Sequence, residues 1–66
     1  MRITLNGKDT DVADGLTVQT LLDELKAPPT SVAVERNAQV VPRKAYAQLA
    51  IEEGDQIEVV TFEGGG

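Results

Sequence analysis

The chain has 66 residues, with eleven acidic against six basic side chains, a net charge of −5, and neither cysteine nor histidine. Disulfides, thiolate nucleophiles and cysteine-based metal sites are therefore excluded, and the usual acid–base side chain near neutral pH is missing. No basic patch is present to neutralise phosphates, and no apolar run approaches the roughly 20 residues of a membrane span, so neither nucleic acid nor membrane is an expected partner.

Arg2-Ile3-Thr4-Leu5 alternates polar and apolar residues, the period of a half-buried strand. Asn6-Gly7 follows, a strong hairpin signal because both residues tolerate the positive φ of a type I′ turn. Lys8 to Val12 is expected to return antiparallel, and Ala13-Asp14-Gly15 reads as a turn.

Thr17 suits a helix N-cap, with Leu16 and Leu21 at the two positions of a hydrophobic staple. Val18, Leu21, Leu22 and Leu25 then fall at i, i+3, i+4 and i+7, one apolar stripe expected to enter the core. Pro28-Pro29 is expected to end the helix, since neither proline donates a backbone bond.

Val32 to Glu35 reads as a third strand, Arg36 to Gln39 as a turn, and Val40-Val41 as a short edge strand closed by Pro42. Arg43 to Ala50 is expected to make one or two helical or 3₁₀ turns, anchored by Tyr46 and Leu49. After the turn at Glu53-Gly54-Asp55, Gln56 to Phe62 forms the last strand. Ile57, Val59 and Thr61 lie on one of its faces, Val60 and Phe62 on the other.

This order predicts an α+β domain over residues 1–62, a mixed sheet of four to five strands grasping one main helix. If the first and last strands pair at the centre, the chain leaves the middle of the sheet as a flexible glycine tail over residues 63–66. With no cysteine and no recognisable signal peptide, the expected setting is cytoplasmic.

Most candidate chemistry in the body has a plainer explanation. Asp9, Asp11 and Asp14-Gly15 miss the spacing of a calcium loop, because the third ligand position is Ala13 and the closing position is Thr20. Glu52-Glu53 are neighbours in a turn that splay apart, and Tyr46 reads as a core or edge anchor. The three glycines lack the lysine and following helix of a phosphate loop. No nucleophile stands with a base, so catalysis by the body is not expected.

Val60 and Phe62 on the open face form either a docking surface or packing for the Tyr46 segment. Arg43 is either a contact to a partner or a solvated cation. Gly64-Gly65-Gly66 has no Cβ and accepts either sign of φ, so it can extend through a narrow channel and offer the Gly66 carboxylate there. A frayed end is the alternative.

In these segments the chain resembles the sulfur carrier proteins of thiamine biosynthesis, a family with the ubiquitin-like β-grasp fold. The resemblance spans nearly the whole length. It rests on Asn6-Gly7, Leu16-Thr17-Val18 with Leu21-Leu22, and Val32-Ala33-Val34-Glu35-Arg36-Asn37. It continues through Val40-Val41-Pro42-Arg43, Gly54-Asp55-Gln56-Ile57-Glu58-Val59 and the terminal glycines. Glu63 is a departure, standing where the family more often has an apolar residue.

The resemblance implies that a partner adenylyltransferase resembling ubiquitin-activating enzymes uses Mg-ATP to join AMP to Gly66. A sulfur donor such as a cysteine desulfurase then turns the adenylate into a thiocarboxylate, and thiazole synthase receives the sulfur. Gly64 and Gly65 would serve as the arm, and Val60, Phe62, Glu63 and Arg43 as docking residues, with no cofactor held by the chain itself. A carrier for another pathway, of the molybdopterin synthase small-subunit type, a ubiquitin-like protein modifier and a non-covalent binding module remain the alternatives.

Overall fold

The computed structural model describes residues 1–62. Strands β1 (Arg2–Leu5) and β2 (Lys8–Asp11) form a hairpin, followed by helix α1 (Val18–Glu24). Then come β3 (Val32–Arg36), β4 (Gln39–Val40), a 3₁₀ turn at Arg43–Ala45 and β5 (Gln56–Thr61). The five strands form one sheet in the order β2-β1-β5-β3-β4. β5 lies at its centre, parallel to β1 and antiparallel to β3. This is the expected α+β grasp, with the first and last strands side by side.

Both hairpins turn on two residues of positive φ. Asn6 and Gly7 have φ of 50° and 83°, while Asn37 and Ala38 have φ of 51° and 69°. These are the signs a type I′ turn requires, matching the right-handed twist of the flanking strands. Ala38 holds this conformation despite its Cβ, a strain of about 1 kcal/mol.

At the start of α1, Thr17 caps as expected and does so reciprocally. Its side chain accepts from the Thr20 N–H, and the Thr20 hydroxyl accepts from the Thr17 N–H at 2.8 Å. The segment after the 3₁₀ turn supplies the remaining acceptors. The Val18 N–H donates to the Leu49 carbonyl and the Gln19 N–H to that of Tyr46. The first-turn donors that a helix leaves unpaired are thus met without water.

The helix does not run on to the prolines. It ends in a Schellman motif, with the Ala27 N–H donating to Leu22 O and the Lys26 N–H to Asp23 O. Lys26 occupies the left-handed position at φ 56°, where glycine is usual. Leu25, expected in the core, is the C-cap and is 43% exposed.

Val18, Leu21 and Leu22 pack on the sheet face carrying Ile3, Val32, Val34 and Ile57, with Leu16, Val41, Tyr46 and Ile51 closing the margins. Each such buried aliphatic side chain contributes about 1.5–3 kcal/mol of transfer free energy. The segment reaching Ile51 is tied down by the Ile51 N–H donating to Leu16 O and an isolated bridge between Thr17 and Ala50. Tyr46 and Leu49 anchor it as expected, Tyr46 fully and Leu49 in part.

Candidate functional site

β5 carries the chain to residues 63–66, so the site is built from the bottom of that strand to its top. At the bottom, Asp55 precedes β5 and is the buried charged residue of the core, 6% exposed. Arg36 holds it in a fork, donating from Nε to Oδ2 at 2.9 Å and from Nη2 to Oδ1 at 3.4 Å. The Glu52 N–H donates to Oδ2 at 2.8 Å, and Asn37 Nδ2 donates to Oδ1 at 3.3 Å. Burial pushes the Asp55 carboxyl up. The Glu52 amide, Arg36 and Asn37 outweigh it and hold the carboxyl below the usual carboxylate range.

Asn37 completes this latch by acting as a short piece of strand. Its N–H donates to Gln56 O at 2.8 Å, and its Oδ1 accepts from the Gln56 N–H at 2.9 Å. Sequence reasoning placed Asp55 in a plain turn and missed the latch. The available signal was an Arg-Asn pair ending one strand and a Gly-Asp pair opening another, but nothing local shows that they meet.

Further along β5 the asparagine of the other hairpin does similar work. Asn6 Oδ1 accepts from the Val59 N–H at 2.8 Å, beyond the last β1–β5 register pair, Leu5 with Ile57. At the top, the Phe62 N–H donates to Ser31 O at 3.0 Å. Arg43 supports this loop from below. Its guanidinium donates to the carbonyls of Pro29 at 2.7 Å, Thr30 at 3.2 Å and Val32 at 3.4 Å. The arginine is therefore engaged within the fold rather than simply solvated.

Val60 and Phe62 are 56% and 45% exposed, while Tyr46 is buried in the core. Across the sheet Val60 is paired with Ala33 and Glu58 with Glu35, all exposed on the face away from α1. Two like charges directly opposite one another destabilise a sheet slightly. The open face thus combines an apolar pair with an acidic pair. Glu63, Gly64, Gly65 and Gly66, assigned to docking and to the arm, lie outside the described residues. Among the described residues, no cluster of acidic side chains is arranged to hold a metal ion, and no helix is long and apolar enough to cross a membrane.

Residues 3–66 match the model of the ThiS family. The chain belongs to that family. It is 36% identical over 66 residues to the sulfur carrier protein ThiS of Escherichia coli, covering all of both chains. It superposes on the crystal structure of the thiamine biosynthesis protein ThiS from Geobacter metallireducens with a TM-score of 0.85 at 40% identity, again over all of both chains. It is also 44% identical over 66 residues to part of a thiazole synthase of Paramagnetospirillum magneticum. There the chain spans about a fifth of its relative's length, 20%. The ThiS likeness takes in the β-grasp fold as a whole: the latch, both asparagine turns and the glycines all fall inside the matched range.

Proposed function

We propose that this chain is a sulfur carrier whose Gly66 carboxylate is activated by a partner and converted to a thiocarboxylate for thiazole formation in thiamine biosynthesis. The observation that carries this reading is the family match through Gly66, together with the end-to-end likeness to the E. coli sulfur carrier. The likeness to a segment of a thiazole synthase supports that enzyme as the recipient of the sulfur.

The chemistry follows from what a carboxylate lacks. Its anionic charge repels nucleophiles, and its leaving group would be oxide. Attack of a Gly66 oxygen on the α-phosphorus of Mg-ATP, within an adenylating partner, expels pyrophosphate and leaves an acyl adenylate. The terminal sulfur of a persulfide on a donor protein then attacks the acyl carbon, the C–O bond breaks, and AMP leaves. A partner thiol cleaves the resulting acyl disulfide, taking one sulfur into a new disulfide and leaving the other on Gly66 as the thiocarboxylate. The carrier contributes docking and an acyl group without a Cβ nearby, and holds no cofactor. Its open face, apolar at Val60 and Phe62 and acidic at Glu35 and Glu58, fits a partner surface with apolar and basic groups.

Intact-mass measurement tests the reading, with the protein incubated with ATP, a sulfur source and lysate of its host. The expected result is a mass gain equal to one oxygen replaced by sulfur, absent when Gly66 is deleted. An unchanged mass alongside a demonstrably active adenylating enzyme would sink it.

A further inference from the structure

The backbone of β5 is paired on both sides only as far as Val59. Its N–H groups alternate in direction, as in any strand. The Phe62 N–H points to Ser31 and the Gln56 carbonyl to Asn37, so the even residues serve the β3 side. The Ile57 carbonyl accepts from the Asn6 N–H, and the Val59 N–H donates to Asn6 Oδ1, so the odd residues serve the β1 side. β1 ends at Leu5 and turns away at Asn6-Gly7. Among the described residues, the Val59 carbonyl and the Thr61 N–H and carbonyl therefore have no partner on that side. This is a short open edge at the centre of the sheet, not at its rim, and it leads straight into Phe62 and residues 63–66.

We infer that this edge, Val59 to Thr61, is where an extended segment of the adenylating partner adds to the sheet as a strand beside β5, before the chain enters the activation site. The inference rests on the carrier reading above and specifies how that partner takes hold. Strand addition draws affinity from main-chain hydrogen bonds. It also fixes the register of the chain, and here register decides where Gly66 falls. Val60, exposed on one face of the same strand, supplies the apolar side-chain contact.

A second copy of this chain is a poorer occupant. Both copies carry a net charge of −5 and repel, and the open stretch among the described residues is only three residues long, Val59 to Thr61, beginning at the Asn6 contact. Only a partner that follows the chain onward toward Gly66 extends the pairing beyond those residues.

Thr61→Pro removes the open-edge N–H without touching any hydrogen bond made to β3. A chemically synthesised chain with an N-methylated Thr61 amide does the same should proline disturb folding, and Thr61→Ala controls for the side chain. The enzyme that activates the wild-type protein in the mass assay is the probe, read by ATP–pyrophosphate exchange. Loss of the pairing should raise KM for the proline and N-methyl chains about tenfold, with an unchanged urea midpoint and wild-type behaviour of Thr61→Ala. The Thr61 amide should also exchange more slowly in the complex.

Wild-type activation of both backbone variants would overturn the inference and leave the carrier reading intact. Equal loss in Thr61→Ala would overturn it by assigning the contact to the side chain. Loss of self-association, with activation unchanged, would give the edge to a second copy. Failure of the wild-type protein to be activated by any host enzyme would remove both readings together.

Discussion

At its first residues β5 is held on every side, and at its last it is held on one. The lower end begins at a buried carboxylate with donors from Arg36, Asn37 and Glu52, flanked by strands that supply full ladders. The upper end keeps its ladder to β3 and Ser31, but among the described residues it has only the Asn6 side-chain amide on the β1 side. The contrast assigns different work to the two ends. Polar groups buried and fully bonded fix one geometry, whereas exposed apolar side chains and open backbone groups are what a partner can use.

The sharpest way to break the contrast is at the latch. Asp55→Ala strips the buried partner from Arg36, leaving it only the exposed Glu52 carboxylate at 3.9 Å, and leaves the Glu52 amide unbonded. A cost of about 3 kcal/mol is expected, measured by urea unfolding. The same carboxylate sets a pH dependence. Its folded pKa lies below that of an ordinary aspartate, so its contribution is complete above the ordinary value and is lost as pH falls through the lower folded one. Stability of the wild-type protein should therefore fall on acidification below about pH 4. Asp55→Asn should be less stable at neutral pH and flatter in that window.

The next effect lies at the upper end. Arg43→Ala removes three hydrogen bonds, to the carbonyls of Pro29 and Thr30 in the loop before β3 and of Val32 at its start. A loss of about 1–2 kcal/mol is expected. Because Ser31 in that loop accepts from Phe62, amide exchange at Phe62 should quicken more than at Ile57. Equal acceleration at both would mean that the arginine supports the fold generally and not the point where β5 ends.

How far each end was legible follows from the range of its interactions. The Asn6-Gly7 turn, the Thr17 cap and the Val18-Leu21-Leu22 stripe are local signals, and each stands where the sequence places it. The need for one sheet to cover one helix gave the α+β class, while the central pairing of β1 with β5 entered only as a condition that the structure meets. Strand alternation put Val60 and Phe62 on the face opposite Ile57 but left open whether they packed on the Tyr46 segment, and the structure leaves both about half exposed. The Asp55 latch was not legible, because its ligands lie 18 and 19 residues away and meet only through topology. The helix end was misplaced for a related reason. Pro28-Pro29 is a loud stop signal, but a lysine accepted the left-handed position first and ended the helix earlier. Arg43 was similarly opaque, since the Arg43-Lys44 pair at the start of a short turn looks solvated until the carbonyls that Arg43 meets are seen.

A smaller change acts beside the latch in the opposite direction. Ala38 sits at φ 69° in the turn that positions Asn37. Ala38→Gly should relieve about 1 kcal/mol of left-handed strain, partly offset by the extra backbone entropy glycine loses on folding. A net gain of about 0.5 kcal/mol in thermal or urea unfolding is expected, with no change in activation by a partner.

The smallest expected effect on stability separates the two ends most cleanly. Val60 and Phe62 are each about half exposed, and neither belongs to the buried core. Val60→Ser with Phe62→Ser should shift unfolding by no more than about 0.5 kcal/mol, the usual range for surface substitutions. A docking surface loses its apolar anchors in the same variant, so conversion of Gly66 to the thiocarboxylate should slow at least tenfold under subsaturating partner. Raising the partner concentration should restore the rate, because the change weakens encounter and leaves the carboxylate untouched. A variant that lost stability but was activated normally would reverse the assignment, making the upper end of β5 part of the scaffold after all.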